Sequence, residues 1–389
     1  MSDSEFETDS NSESYVSEDD IEEISKEWLG KIYNDNYLCL KYLGRGTFCR
    51  VFLVYDFIYD NFYAMKVLFP EYTEEGLHEL EIYETLNSNV YKNPNLVYFH
   101  QSFFFENYFV LIIEFMGMDL IDLLELFQSQ EEIPHKLIKK IFKDSLKGLM
   151  QLHDNNIIHG DLKMENIMLT MYRDEFLEIK RAVRSLKLKE YTKSFLKNYI
   201  PKDFNTLERE KRKKIKKILL KRLAIQILEK YENYRHVVDN INIETVQFND
   251  SFNAKIIDFG NADKYDKTNR EVIHIKQYRS PENYLHKIHD FKGDIWTLGV
   301  ILYEFFTGDV LFFLEKTEYE TDHDYFTFIK NKIENLEYHF IDDFKKIEFS
   351  NTNDKLNLFQ LLKNMLNLDY NKRYSALDCL KSNYFDEDN

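Results

Sequence analysis

At 389 residues, with 44% apolar and 16% aromatic side chains, the chain has material for one large or two medium cores and reads as globular rather than disordered. Cys39, Cys49 and Cys379, odd in number and far apart, argue against a disulfide framework or a zinc site, and neither a leader pattern nor an uncharged apolar run of about 20 residues is present. The formal charge of −17 is concentrated at one end, where residues 1–27 hold eleven acidic residues against one lysine.

That segment, "MSDSEFETDSNSESYVSEDDIEEISKE", has almost no apolar residue before Ile21 and is expected to be a disordered tail, either solubilising or binding. From Tyr37 the pattern becomes β-type. "YLCLKYL", a "GRG" turn, "RVFLVYD", a "YDN" turn and "FYAMKVLF" read as a three-stranded antiparallel meander. A helix over 74–86 follows, with Leu77, Leu80 and Tyr83 or Glu84 on successive turns, then the strands "LVYFHQSFFF" and "YFVLIIEFM". The expected layout is a small β-rich lobe over 36–115 and a larger helical lobe over 116–385, opening with helices at 119–128 and 134–153.

Residues 171–253 differ in character. Their basic run, "LEREKRKKIKKILLKRLAIQILEKY" at 207–231, places Ile215, Ile218, Leu219, Leu223 and Ile227 near helical spacing and predicts one long amphipathic helix. A nuclear-import patch, a docking face and a plain solvated basic helix are all compatible with it.

The chemistry sits in ordered motifs. "GRGTF" at 44–48 lies between two predicted strands, so Gly44 and Gly46 would let the backbone approach phosphates, and Lys66 of "YAMK" would meet them with a point charge. A lysine on a strand usually faces solvent, so Lys66 needs support from elsewhere. That support is "HGDLKMEN" (His159, Asp161, Lys163, Asn166), "KIIDFGNA" (Asp258, Phe259, Gly260), "SPE" (Ser280, Pro281, Glu282) and "DIWTLG" (Asp294, Trp296, Gly299), in the order of the protein-kinase signature set.

The chain therefore resembles the eukaryotic protein kinases. The resemblance implies an α+β, bilobal protein kinase fold and a transferase using ATP and Mg²⁺. It assigns Asp161 to the substrate hydroxyl proton, Lys163 to the transferred phosphate, as in Ser/Thr-directed kinases, and Asn166 and Asp258 to Mg²⁺. The glycine-rich stretch Leu43, Gly44, Arg45, Gly46, Thr47, Phe48, Cys49, Arg50 and Val51 would cover the nucleotide, with Lys66 on its phosphates and Ile113 as gatekeeper. Glu114 and Met116 would offer backbone bonds to adenine.

Finer details, "YTEEGLHELEIY", "DFGNAD", "IKQYRSPE" and "TGDVLFF…DHDYFTFI", look like the kinases specific for serine/arginine-rich (SR) proteins, which also carry a long spacer where 171–253 lies. By that comparison Glu79, rather than Glu81, partners Lys66. The chain departs from that group with "SPE" for "SLE", with Gly160 for threonine and with a short, basic spacer. The resemblance implies an arginine/serine-rich protein substrate, read through Glu315, Glu318, Glu320, Asp322 and Asp324, and constitutive activity controlled by location and partners. Glu282 should be held by Arg373. The chain is expected to be a monomer that contacts neither nucleic acid nor membrane, and to be intracellular, in cytoplasm or nucleus, of a host cell if viral. Cdc-like kinases are the nearest enzymatic alternative, and a pseudokinase scaffold the alternative of another class. The spacer, lying outside the signature set, is expected to be replaceable by a short linker without loss of peptide phosphorylation.

Overall fold

The structure, a computed structural model, describes residues 27–87, 94–128, 134–241, 251–265, 276–286, 290–312, 321–336 and 352–386. The chain divides into two compact units, one of Met1–Val67 with Arg181–Ile241 and the other of Leu68–Lys180 with Asn242–Asn389. Residues 1–26 of the acidic tail 1–27, Thr268, and Glu315, Glu318 and Glu320 lie outside the described residues, whereas Glu27 is described and pairs with Arg50 at 3.5 Å.

In the first unit, strands β1 (Ile32–Tyr33), β2 (Tyr37–Arg45), β3 (Cys49–Asp56) and β4 (Asn61–Leu68) neighbour one another in sequence order. The expected meander is present, with β1 added at its edge. The turn after β3 is made by Asp56, whose carboxylate accepts the N–H groups of Ile58 at 2.8 Å and Tyr59 at 3.1 Å while Asn36 donates to its other oxygen at 2.7 Å. Trp28, fully buried, stacks on Tyr33 and Phe52.

The second unit carries α1 (Thr73–Asn87), the antiparallel hairpin β5 (Phe99–Phe105) and β6 (Tyr108–Glu114), α2 (Leu120–Gln128), α3 (His135–Asp154), β7 (Ile157–Ile158) and β8 (Ile167–Leu169). Helix α1 buries Gly76, Glu79, Ile82, Tyr83 and Leu86. This differs from the expected Leu77 face, and Leu77 is exposed. The rotation follows from Gly76, whose missing Cβ lets Phe109 and Leu68 approach to within 3 Å of where it would stand.

Helix α4 (Asp174–Ser185) opens the 171–253 segment, whose middle belongs to the first unit as α5 (Leu188–Tyr199), α6 (Arg209–Glu232) and α7 (Arg235–Asp239). The long basic helix is thus observed, but its buried strip is Leu219, Leu223, Ile227 and Tyr231, a strict four-residue stagger. Ile218, expected on that strip, is exposed, because it falls about 100° around the helix from Leu219. Helix α6 reaches α5 through a Tyr191–Gln226 hydrogen bond of 2.8 Å. Toward the strands, Asp60 pairs with Arg184 at 3.5 Å and Lys189 at 3.9 Å, and Gly30, at φ +72°, leaves so little room that an added Cβ would lie 2.8 Å from the Arg235 guanidinium.

The rest of the second unit is β9 (Ala254–Ile256), β10 (Asp263–Lys264), α8 (Pro281–His286), α9 (Phe291–Thr307), α10 (Asp322–Glu334), α11 (Thr352–Met365) and α12 (Ala376–Leu380). Its central element is α9, in which every residue from Gly293 to Thr307 is buried, as expected of a helix apolar all round. The Asp290 side chain caps its start and Gly308, at φ +74°, ends it.

Candidate active site

Two short antiparallel ladders set the site in the second unit. Strands β8 and β9 pair Ile167 with Ile256 and Leu169 with Ala254, and β7 and β10 pair Ile158 with Asp263 and Ile157 with Lys264. Residues 159–166 and 257–262 are therefore two short loops, each clamped by both ladders, and their polar side chains are forced together. This is why the run "HGDLKMEN" stands between apolar neighbours. The apolar residues build the ladders, and the polar ones partner one another.

His159 is fully buried. Its Nδ1 accepts from the Asp161 N–H at 3.3 Å, so Nε2 carries the proton and donates to the Ile257 carbonyl at 3.0 Å. Asp294 receives the backbone N–H groups of His159 at 2.9 Å and Gly160 at 3.1 Å, together with His153 Nε2 at 3.0 Å. Gly160 stands at φ +75°, a conformation that suits glycine at this position.

The Asp161 carboxylate is approached by Lys163 Nζ at 3.8 Å, and Asn261 Nδ2 donates to it at 3.2 Å. Burial pushes the Asp161 carboxyl above its ordinary value, against the opposing pull of Lys163, His159 and Asn261. Asn166 donates its amide to the Asp161 carbonyl at 2.8 Å, and its own carbonyl accepts the Ile257 N–H at 3.0 Å. Asp258 has φ +60°, a strained setting for a residue other than glycine. At Gly260 an added Cβ would lie 3.5 Å from Asp258 Oδ1 and 4.0 Å from Glu79 Oε2, so both carboxylates flank this glycine. Glu79 is buried, whereas Glu81 is exposed and paired with Lys264 at 2.5 Å. His78 Nε2 meets the Ala262 carbonyl at 2.7 Å, which ties α1 to the loop after Asp258.

The β6 end carries Glu114. Its N–H donates to the Tyr98 carbonyl at 2.8 Å, so its own carbonyl is what it can offer a base. Its side chain grips Lys255 at 2.7 and 2.9 Å. Met116 is buried. Gly117 N–H donates to the Leu169 carbonyl at 2.8 Å, and a Cβ there would overlap the Met171 carbonyl oxygen at 1.7 Å.

The remaining candidates lie in the first unit. Gly44 and Arg45 end β2 and pair with Val51 and Arg50 of β3, and Gly46 N–H closes the turn on the Cys49 carbonyl at 2.9 Å. Leu43, Arg45, Gly46 and Thr47 are exposed, Phe48, Arg50 and Val51 half-buried, and Cys49 is buried. Nothing lies within 4 Å of a Cβ placed at Gly44, so the backbone there faces open space. Lys66 is buried on β4 between Met65 and Val67, both fully buried.

The sequence profile of the protein kinase domain matches residues 37–191 and 238–385. The chain belongs to the protein kinase family. The gap in the match falls on the insert, from within α5 to the middle of α7. Among relatives, the dual specificity protein kinase lkh1 of Schizosaccharomyces pombe is 24% identical over 75% of this chain and 33% of its own length. The serine/threonine-protein kinase SRPK of Physarum polycephalum is 26% identical over 73% of this chain and 63% of its own. The putative serine/threonine-protein kinase L205 of Acanthamoeba polyphaga mimivirus is 24% identical over 78% and 73%. The chain spans only a third of lkh1 and about a quarter of the Dictyostelium discoideum kinase clkA. In fold, it matches the crystal structure of the PF14_0431 kinase domain with a TM-score of 0.58 at 20% identity, over 92% of this chain and 97% of that one.

A kinase domain implies ATP and typically Mg²⁺. The donor set suits a hard cation. Asp258 supplies a carboxylate and Asn166 an amide whose nitrogen is turned to the Asp161 carbonyl, which leaves its oxygen facing the other way. Mg²⁺ keeps several waters and phosphate oxygens, so two protein oxygens suffice. Among the described residues no cluster of three or more His, Cys, Asp or Glu side chains could hold a metal, and a cation shared with phosphate does not require one. The open backbone at Gly44 suits a phosphate in the same way. Sequence reasoning passed over Asn261, which stood in the quoted "DFGNA"; the signal was a polar amide directly after the glycine of that motif.

Proposed function

We propose that the chain is an active protein serine/threonine kinase that prefers arginine/serine-rich substrates and needs no phosphate on its own activation segment. The observation that carries the first part is the Asp161 carboxylate, buried, oriented by Asn261 and Lys163, and fixed beside Asn166 by the paired loops. In this reading Asp161 orients the incoming hydroxyl and takes its proton as the hydroxyl oxygen bonds to the γ-phosphorus and the bond to the departing ADP oxygen breaks. Lys163 meets the charge of the transferred phosphoryl group. Lys66 and the Gly44–Gly46 backbone hold the remaining phosphates. Bound Mg²⁺ would supply charge neutralisation, held by Asn166 and Asp258.

Independence from activation-loop phosphate is supported by packing at the segment's end. Arg373 grips Glu282 with two bonds of 2.6 and 2.8 Å, both side chains being buried. Tyr278 O–H donates to Glu304 at 2.9 Å and Thr297 O–H to the Tyr278 carbonyl at 3.0 Å. Ser280 is buried and its carbonyl accepts the N–H of Asn283, so it is not a surface acceptor for a second kinase. The arginine/serine preference rests on the likeness to SRPK and on acidic residues after Asp309. One of these is partly engaged: Asp324 closes a capping box with Thr321 at the start of α10. An intracellular setting is part of the proposal, and the three cysteines are free and buried, which suits a reducing compartment.

The test is an arrayed peptide library with Mg-ATP, read for the residues around each phosphorylated site, using the wild type, Asp161→Asn and Lys66→Met. Loss of turnover by roughly 10²-fold or more in folded variants is expected. Wild-type turnover in Asp161→Asn would overturn the kinase assignment. A preference for proline or acidic flanks with no arginine signal would place the chain nearer the Cdc-like kinases. For autonomy, phosphatase treatment and Thr268→Ala should each leave kcat/KM within a few-fold, and a tenfold loss in either refutes that part.

A further inference from the structure

The kinase reading leaves the outer face of α6 unexplained. Between Arg209 and Arg222 the helix carries nine basic residues and one acidic residue. One side is buried through Leu219, Leu223, Ile227 and Tyr231. Opposite it, Lys211, Lys214, Ile218, Lys221 and Ile225 recur at alternating spacings of three and four, which makes one continuous stripe, and all five are exposed. Ile218 and Ile225 are 54% and 61% accessible, too much for residues merely edging the buried strip. The stripe is thus two isoleucines set among cations. Of the helix's basic residues, Lys211 and Lys213 have a carboxylate of the described residues within 4 Å, each on the same turn of helix.

Residues 1–26 are its complement, with ten acidic residues and one lysine. Their last part, "EDDIEEI" from Glu18 to Ile24, sets Ile21 and Ile24 among five carboxylates. An extended polyproline-II-like run brings residues three apart to one edge at about 9 Å. On a helix, residues seven apart stand about 10.5 Å apart along the axis, the spacing of Ile218 and Ile225. The two patterns therefore match in charge and in apolar period. The tether is short as well. Glu27 pairs with Arg50 at 3.5 Å and Trp28 is buried, so the segment is fastened at residue 27 to the first unit, which also holds α6. Ile24 lies three residues before that anchor, within about 10 Å of it.

We propose that the acidic segment 1–26 docks on the exposed face of α6, with its Ile21–Ile24 pair against the Ile218–Ile225 pair and its carboxylates on the flanking lysines, and so covers this basic face against other polyanions. A short tether gives the segment an effective concentration in the millimolar range, so a modest contact becomes a nearly saturated one. Contacts of this kind are screened by salt.

The experiment uses a fluorescein-labelled peptide of residues 1–26 and three full-length proteins, at 50 mM and 500 mM salt. They are the wild type, a tail-neutralised chain (Glu18→Gln, Asp19→Asn, Asp20→Asn, Glu22→Gln, Glu23→Gln), and that chain with Lys214→Gln, Lys217→Gln, Lys221→Gln and Arg222→Gln added. Circular dichroism confirms equal helix content. The tail-neutralised chain is expected to bind the peptide at low salt at least tenfold more tightly than the wild type, whose face is already covered, and at least tenfold more tightly than the α6 variant. Carbodiimide cross-linking of the wild type should join Glu18–Glu23 to α6 lysines within one molecule. Equal peptide binding by wild type and tail-neutralised chain, equal binding after the α6 changes, or cross-links found only between molecules would each overturn the proposal.

Discussion

Tyr231 tests whether the insert is a passive appendage. It closes the buried strip of α6 at 1% exposure. Its hydroxyl is pushed well up by burial and also feels Cys39, a fully buried residue of β2. Truncation to alanine removes a buried aromatic ring of roughly 150–200 Å². At about 25 cal/mol per Å² that is about 4–5 kcal/mol, in line with the ~3–5 kcal/mol of large-to-alanine changes in cores. If α6 and the strands form one cooperative unit, as their compact grouping suggests, the loss must be felt in β2 and β3. Hydrogen exchange with mass spectrometry is the assay. Peptides covering 37–56 should exchange about 10²-fold faster or more in Tyr231→Ala, and KM for ATP should rise, because Gly44 and Gly46 lie on that hairpin. Ile225→Ala, at an exposed position on the same helix, should change exchange in neither element. Melting of α6 with unchanged protection in β2 and β3 would refute the reasoning and restore the view of the spacer as replaceable.

Burial pushes Glu304 up to about 7, so its ionisation opposes folding: the penalty is absent below the unfolded value near 4.5 and grows as pH rises toward 7. Glu304→Gln, whose Oε1 can still accept the Leu311 N–H while its Nε2 donates to the Tyr278 hydroxyl oxygen, should match the wild type at pH 5 and be more stable by roughly 1–3 kcal/mol at pH 8; urea melts showing no pH-dependent gap would contradict this. Arg373→Met leaves Glu282 charged and buried and should cost about 3–5 kcal/mol by denaturant unfolding, whereas a loss under about 1 kcal/mol would mean that the pair contributes little. Asn261→Ala removes a hydrogen bond that holds the Asp161 carboxyl down, so the acid limb of kcat/KM should move to higher pH with KM for ATP little changed. An unmoved limb would separate Asn261 from Asp161.

Much of the site was legible because its chemistry demands particular residue types at fixed order, and the apolar pairs around "HGDLKMEN" and "DFGNA" became the ladders that hold those residues. The helices at 73–87 and 209–232 were legible from period alone. Their facing was not. In α1 the buried side is chosen by Gly76 and Glu79, residues that an apolar count ignores. In α6 five apolar residues fit a helix, yet Ile218 belongs to the opposite side. The association of the insert with β1–β4 left still less trace, since it depends on single contacts such as Asp60 with Arg184 and Gly30 with Arg235, which carry no pattern along the chain.

The ladder between β8 and β9 has a consequence for how such chains grow. Leu169 and Ala254 are partners, and Thr170 and Asn253 extend the pairing by two further hydrogen bonds, Thr170 N–H to the Asn253 carbonyl at 3.0 Å and Asn253 N–H to Thr170 Oγ1 at 2.9 Å. Everything from 171 to 252 thus leaves and returns through one doorway whose two sides are already fastened. For a loop anchored in this way, each doubling of length adds only about 0.6 kcal/mol of closure entropy. Asn166 and Asp258 lie on the inner side of that fastened pairing, so length added beyond it carries a small entropic cost of its own, and the doorway is a point where accretion is open to drift and selection alike.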